Sequence, residues 1–174
     1  MPSENFNNFD SSQTIDIVIP AYNARNVLQK SVGSTLLQEL PTSWKRNIII
    51  IDDGSSDGTF QQCRELFKDK VKIYSHERNR GRSSACNTGW RSGSGQYVIF
   101  MDADCEWYSP KALISHLKVL ESGADISVGP IMSNNHSFWD IYQNMVQSSR
   151  EKDFASGNLA AFTSANLAIK RSLL

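Results

Sequence analysis

The sequence has no long hydrophobic run and few cysteines, and both shortages exclude classes of protein. No apolar stretch approaches the length of about 20 residues that a membrane-spanning helix requires, so we expect no membrane segment in this chain. The three cysteines are odd in number and lack Cys-x-x-Cys spacing: Cys63, Cys86 and Cys105. This pattern argues against a disulfide framework or a zinc site and indicates free thiols in a reducing compartment. We therefore expect a cytoplasmic location, at the membrane face if the chain belongs to a longer protein.

A net charge of either sign is also absent. The 18 lysines and arginines equal the 18 aspartates and glutamates, which gives a formal net charge of zero. Proteins that bind nucleic acid usually carry a basic excess, so the composition gives no support for a nucleic-acid partner. The first apolar segment is followed by neither Gly-x-x-x-x-Gly-Lys nor Gly-x-Gly-x-x-Gly. This argues against P-loop NTPases and NAD-dependent enzymes.

Internal repeats and Gly/Ser-rich or Pro-rich linkers are missing as well. A chain of 174 residues without such breaks predicts one domain with a substantial core. Residues 1–13 are rich in Asn and Ser and have no apolar centre, so they predict a disordered N-terminal tail. The folded domain is then expected to occupy residues 14–174.

Within that domain, short apolar segments alternate with segments of helical periodicity. Strands are predicted at residues 15–19, 48–51, 71–74, 97–101 and 126–128. Pro20 is expected to close the first strand, and Asn23 to cap the first helix. Further along, the weaker pattern predicts a helix over 138–146 and a strand over 162–169. The alternation is typical of βαβ units, so we predict an α/β fold with a Rossmann-like, mostly parallel sheet flanked by helices.

Polar residues follow three of the predicted strands, and in a parallel sheet those strand ends share one edge. They are Tyr22 after the first strand, Asp53 after the second, and Asp102 with Asp104 after the fourth. An aromatic ring can stack on a base, and a carboxylate can accept from a base N–H. Two neighbouring carboxylates suit Mg²⁺ or Mn²⁺, which bind few protein oxygens together with substrate phosphates. The pattern therefore predicts a site for a nucleotide diphosphate and a divalent cation.

Each of these features also has a purely structural interpretation. Tyr22 can be a packing aromatic, residues 52–54 can form an Asx turn, and the two later acids can be solvated or cap a helix. Dehalogenase-like phosphatases also carry Asp-x-Asp at a strand end, but after their first strand and before Thr or Val. Here the pair follows the fourth strand and precedes Cys105, which argues against that class.

Taken together and in order, these segments resemble family 2 glycosyltransferases, which have the GT-A fold. The resemblance is carried by residues 18–23 (VIPAYN), 50–59 (IIDDGSSDGT), 79–81 (NRG), 87–89 (NTG), 100–104 (FMDAD) and 158–171. It implies transfer of a sugar from a nucleotide-diphosphate donor, usually a UDP-sugar, to an acceptor hydroxyl, with Mg²⁺ or Mn²⁺ as cofactor.

The resemblance also implies roles for individual residues. Nucleotide-binding positions are expected at Pro20, Tyr22, Asp53, Arg82, Asn87 and Asp102. Asp104, helped by Asp102, is expected to hold the metal. Two positions depart from the family pattern, because Cys86 stands where an Arg is frequent and Cys105 where a further acid is frequent.

The catalytic base is the part of the family pattern that this sequence does not show. In the family it lies in an acidic pair well downstream of the metal motif, so we expect it beyond Leu174. The chain is then expected to be the nucleotide-sugar-binding part, without the acceptor and catalytic-base part. A non-catalytic nucleotide-sugar-binding fragment or module is the alternative.

Overall fold

The computed structural model describes residues 13–133 and 165–174, together with positions 141–142, 144–146, 148–149 and 152. Strands and helices alternate along most of this length. The elements are β1 Gln13–Ala21, α1 Leu28–Leu36, β2 Trp44–Asp52, α2 Thr59–Phe67, β3 Lys72–Ser75, α3 Arg82–Arg91, β4 Tyr97–Met101, α4 Ala112–Glu121, β5 Ile126–Val128 and β6 Asn166–Lys170. A short 3-10 helix, Arg171–Leu173, follows β6.

The strands form one sheet in the order β3-β2-β1-β4-β6-β5. β1 is paired in parallel with β2 on one side and with β4 on the other, and β3 extends the parallel part beyond β2. β6 runs antiparallel to both of its neighbours, β4 and β5. The predicted Rossmann-like, mostly parallel α/β fold is therefore confirmed.

Helices cover both faces of the sheet, which explains why the strands read as continuous apolar runs. Ile15, Ile17 and Ile19 of β1 belong to a core that also contains apolar residues of α1, α2 and α4. On the opposite face, Val18 belongs to a second cluster against which α3 packs. A Cβ at Gly89 of α3 would lie 2.3 Å from Val18, so this helix approaches the sheet more closely than any larger residue allows.

Two sequence predictions about the first strand and helix are wrong. Pro20 does not close β1, which continues to Ala21; it is paired with Ile51 of β2 and lies beyond the last pair of β1 with β4. Asn23 does not cap α1, which begins at Leu28. Asn23 instead adopts a left-handed φ of 49°, and its side-chain oxygen accepts the Ser56 N–H at 3.0 Å.

The predictions nearest the ends of the chain are only partly covered by the described residues. Residues 1–12 of the expected tail lie outside them, and Gln13 is the first residue of β1. Of the predicted helix over 138–146, positions 141–142 and 144–146 are described and are helical, and the other four positions lie outside the described residues. The predicted strand over 162–169 corresponds to β6 in its described part. Among the described helices, none is long and apolar enough to span a bilayer.

A buried ion pair stabilises the end of the sheet at which the parallel strands begin. Asp16 of β1 is fully buried and pairs with the guanidinium of Arg171. The same carboxylate accepts from Asn47 Nδ2 at 2.7 Å and from the Gly95 N–H at 2.8 Å. Arg171 also donates to the carbonyl oxygens of Gly95 and Trp90, so it connects β1 with the segment that joins α3 to β4.

We expect Arg171→Met to reduce the free energy of unfolding by about 3–5 kcal/mol, because it leaves the buried Asp16 carboxylate without a cation. Lys170→Met is the matched control, since Lys170 pairs with an Asp125 side chain that is 67% exposed. That change should cost less than about 1 kcal/mol. Urea unfolding of both variants measures the difference, and equal losses would contradict the role given to the buried pair.

Candidate functional site

The carboxyl ends of the three central parallel strands lie together at one edge of the sheet. β1 and β2 end in register, with Ala21 paired to Asp52, and β4 ends at Met101 beside β1. The Asp53 N–H donates to the Ala21 carbonyl oxygen at 2.7 Å, which ties the first residue after β2 directly to β1. The structure thus places the segments that carry Tyr22, Asp53 and Asp102 on the same edge.

Asp53 is the most enclosed of these groups, with only 3% of its surface exposed. Its carboxylate accepts from the N–H groups of Arg80 and Gly81, at 3.0 and 2.8 Å. His76 donates its Nδ1 proton to Asp53 at 2.6 Å, and His76 Nε2 lies 2.9 Å from Thr88 Oγ1. Asp53 therefore joins the end of β2 to the residues after β3 and, through His76, to α3.

Gly54 allows the loop after β3 to come within reach of Asp53. A Cβ at this position would lie 2.5 Å from the Arg78 carbonyl carbon and 2.7 Å from the Asn79 nitrogen. Gly54 also has a φ of 73°, in the left-handed region that side chains other than glycine rarely adopt. The first glycine of the segment 50–59 is thus explained by a close backbone contact beside the candidate site.

Tyr22 lies on the exposed side of this edge, with 52% of its surface accessible. The turn that follows it is fixed by the loop after β2. Asn23 N–H donates to Ser55 Oγ at 2.8 Å, and Ala24 N–H donates to Thr59 Oγ1 at 2.9 Å. The Tyr22 ring is therefore exposed to solvent and is not part of the buried core, while hydrogen bonds hold the backbone that follows it.

Asp102 forms an ion pair with Arg82 at the start of α3. Both the Nε and an Nη of Arg82 donate to the same carboxylate oxygen, Oδ1, the former at 2.8 Å. Asp104 is exposed two residues further on, and the Cys105 thiol donates to it at 3.8 Å. Burial, reinforced by the charges of Asp104 and Asp102, raises the pKa of Cys105 to about 11. This thiol is therefore protonated at neutral pH in the metal-free protein.

Polar residues on one face of α1 hold the segment that carries Asp102 and Asp104. Ser31 Oγ donates to the Asp102 carbonyl oxygen at 3.4 Å. Trp107 donates its backbone N–H to Ser34 Oγ at 3.2 Å and its indole N–H to Thr35 Oγ1 at 3.1 Å. The loop after β4 is thus anchored at its first residue and near its middle.

Gln38, two residues after the end of α1, extends this polar face and reaches the residues that lead into α4. It donates to the Ser109 carbonyl oxygen at 2.8 Å and accepts the Leu113 N–H at 3.2 Å. Positions 31, 34, 35 and 38 form a polar stripe at helical spacing. Its contacts with the loop after β4 could not be predicted from the sequence, because a polar stripe on a helix ordinarily faces water. His76 and Thr88 were missed as well, since no sequence spacing links them to Asp53.

The remaining predicted site residues lie nearby on regular elements. Pro20 is buried in β1, and Asn87 is exposed on α3, where its side-chain oxygen accepts the Trp90 indole N–H at 3.1 Å. Within the described part of the chain, no group of three or more His, Cys, Asp or Glu could hold a metal ion. A pair of carboxylates such as Asp102 and Asp104 fits Mg²⁺ or Mn²⁺, which take their other ligands from phosphates and water.

Gly54→Ala should reduce the free energy of unfolding by at least about 2 kcal/mol, because the new Cβ meets backbone that cannot rotate away. The matched control is Gly33→Ala in α1, where a Cβ has no neighbour within 4 Å. That change should stabilise the helix by about 0.5–1 kcal/mol. Chemical denaturation measures both, and a neutral Gly54→Ala would show that the close backbone approach is not required.

Comparison of the sequence with known proteins gives a match to Glycosyl transferase family 2 over residues 16–174. Glycosyltransferase GlyA of Streptococcus pneumoniae is 35% identical over 125 residues, which make up 71% of this chain and 17% of that protein. WfgD of Escherichia coli, a UDP-Glc:alpha-D-GlcNAc-diphosphoundecaprenol beta-1,3-glucosyltransferase, is 28% identical over 123 residues, or 70% of this chain and 47% of that protein. The chain therefore spans less than half the length of these curated relatives.

The fold has a solved counterpart in a mannosyltransferase from Pyrobaculum calidifontis, determined in complex with GDP-Man and Mn²⁺. The two superpose with a TM-score of 0.72 at 22% identity, covering 92% of this chain and 45% of that one. At this level of identity the likeness concerns the fold, which is of the GT-A type. Because the family match extends over nearly the whole sequence, this chain belongs to glycosyl transferase family 2.

Proposed function

We propose that this chain is the donor-binding part of a metal-dependent, inverting glycosyltransferase that uses a nucleotide-diphosphate sugar, most simply a UDP-sugar. One observation carries the proposal. The segments bearing Tyr22, Asp53 and the Asp102–Asp104 pair follow three parallel strands and lie on one edge of the sheet. That edge is where open α/β sheets bind ligands.

The base-binding end of the site is assigned to Tyr22 and Asp53. Tyr22 is half exposed, so its ring is accessible for stacking on the base. Stacking of two aromatic rings is a favourable contact. Asp53 accepts four hydrogen bonds from three internal donors, because the Arg80 N–H is shared between both carboxylate oxygens. A base N–H is proposed to take one of the two positions that this shared donor occupies. Pro20 is proposed to shape the floor beneath the nucleotide.

The diphosphate end is assigned to residues on α3 and after β4. Asp102 is proposed to lie near the ribose and to help Asp104 hold Mg²⁺ or Mn²⁺. Arg82 and Asn87 are proposed to line the wall beside the sugar diphosphate. Bound metal would stabilise the negative charge that builds on the departing diphosphate. The contacts of the loop after β4 hold the backbone that carries both carboxylates before any ligand arrives, which lowers the ordering cost of binding.

In the proposed reaction the acceptor hydroxyl attacks the anomeric carbon from the side opposite the diphosphate. A new glycosidic bond forms, the bond to the diphosphate oxygen breaks, and the configuration at that carbon inverts. A carboxylate base takes the acceptor proton, and we propose that this base lies beyond Leu174. Support comes from the relatives, of which this chain matches only 17% and 47%.

The named relatives support the choice of ligands. The name of WfgD gives UDP-Glc as the donor of that enzyme, and the Pyrobaculum enzyme was solved with GDP-Man and Mn²⁺. A nucleotide-diphosphate sugar and a divalent cation are therefore the first ligands to test on this chain.

We expect UDP to bind at least about tenfold more tightly with Mn²⁺ than without it, and Asp104→Ala to abolish that difference, because the variant loses a metal ligand. Isothermal titration of UDP with and without Mn²⁺ measures the effect. Asp125→Ala is the matched control, since it removes an acid that pairs with Lys170 far along the chain. Metal-dependent UDP binding that survives in Asp104→Ala would show that the metal role is misassigned.

Transfer or hydrolysis of the bound donor then separates an enzyme from a binding module. Release of UDP from UDP-sugars above the uncatalysed rate, in a longer protein that contains this chain, is expected if the family chemistry operates. Tight donor binding without any UDP release would favour a non-catalytic nucleotide-sugar-binding module.

A further inference from the structure

The ion pair between Arg82 and Asp102 is placed where the proposed metal and diphosphate would meet. Arg82 is the first residue of the ten-residue helix α3, and Asp102 is the first residue after β4. Two nitrogens of the guanidinium converge on one carboxylate oxygen, Oδ1. A divalent cation bound to Asp102, through Oδ1 or through the other carboxylate oxygen, would therefore lie close to a positive charge that already pairs with the same carboxylate.

Both partners are accessible enough to exchange. The Arg82 side chain is 41% exposed and that of Asp102 is 32% exposed, so neither group is locked in the interior. Asp53, by contrast, is bound by three donors and is nearly fully buried. The geometry thus distinguishes a fixed carboxylate at the base end from an exchangeable one at the diphosphate end.

We propose that Arg82 is an internal counter-ion that occupies Asp102 in the ligand-free protein and is displaced when metal and nucleotide diphosphate bind together. Asp102 then turns to the metal, and the released guanidinium turns to diphosphate oxygens, which it can bind through paired N–H groups. Charge stays compensated at each stage, because one cation replaces another at Asp102 while Arg82 gains a new anion. This inference rests on the proposed function and adds to it an exchange of partners at Asp102 when the metal and the diphosphate bind.

The consequence is a coupling between the two ligands. Metal alone competes with Arg82 for Asp102 and binds weakly, whereas metal with diphosphate gives Arg82 an alternative partner. By linkage, the factor by which UDP raises the affinity for Mn²⁺ equals the factor by which Mn²⁺ raises the affinity for UDP. Removing the Arg82 charge should strengthen the first binding event and weaken the coupling.

The test is a Mn²⁺ titration, followed by electron paramagnetic resonance of the free ion, with and without UDP. For Arg82→Gln we expect the affinity of the UDP-free protein for Mn²⁺ to rise about fivefold, because a competing positive charge is gone. The affinity for UDP in saturating Mn²⁺ should fall about tenfold, since a charge-assisted contact to the diphosphate is lost. Circular dichroism confirms that the variant is folded.

Two further variants separate charge from structure. Arg91→Gln removes the same charge from the other end of α3 and should leave both affinities unchanged. Arg82→Lys keeps the charge but not the planar fork, so it should keep weak binding of Mn²⁺ alone while still losing affinity for UDP.

The outcomes are distinguishable from a failure of the proposed function. If wild-type protein shows Mn²⁺-dependent UDP binding but Arg82→Gln binds Mn²⁺ alone no more tightly, the counter-ion proposal is overturned and the proposed function stands. If wild-type protein binds neither UDP nor Mn²⁺, the proposed function is overturned and this inference goes with it.

Discussion

The pairing of β1 with parallel strands on both of its sides fixes the position of every candidate functional group. Because β2 and β4 run in the same direction as β1, their last residues reach the same edge of the sheet. The polar segments after them then have to meet there, whatever the surrounding helices do. A reversed β4 would carry Asp102 to the opposite edge, away from Tyr22 and Asp53.

Three carboxylates of the protein differ in how firmly their neighbours hold them. Asp16, at the other end of the sheet, is fully buried and bound by a cation and neutral donors, so it serves the fold. Asp53 is buried but held by backbone N–H groups and His76, which fixes its direction. Asp102 is partly exposed and held by one arginine. The carboxylate that stabilises the fold is thus held most firmly, and the carboxylate proposed to meet the ligand is held least firmly.

Much of the fold could be predicted from local sequence. Strands buried on both faces are continuous apolar runs, and the alternation with helical segments defines the parallel part of the sheet. The place of β6 could not be predicted, because its antiparallel insertion between β4 and β5 depends on pairing with residues about 70 positions earlier. The polar face of α1 was missed for the same reason, since Ser34 and Thr35 find their partner in Trp107.

The bond between Asp16 and Arg171 spans 155 residues of sequence. On a ribosome that adds about 5–20 residues per second, the nascent chain has its central strand for on the order of ten seconds before the matching arginine is made. During that time Asp16 lacks its native partner Arg171, and β4 lacks its antiparallel neighbour β6. Until β6 and Arg171 are made, the sheet therefore lacks this ion pair, and the edge of β4 that β6 covers is exposed to chaperones and to aggregation.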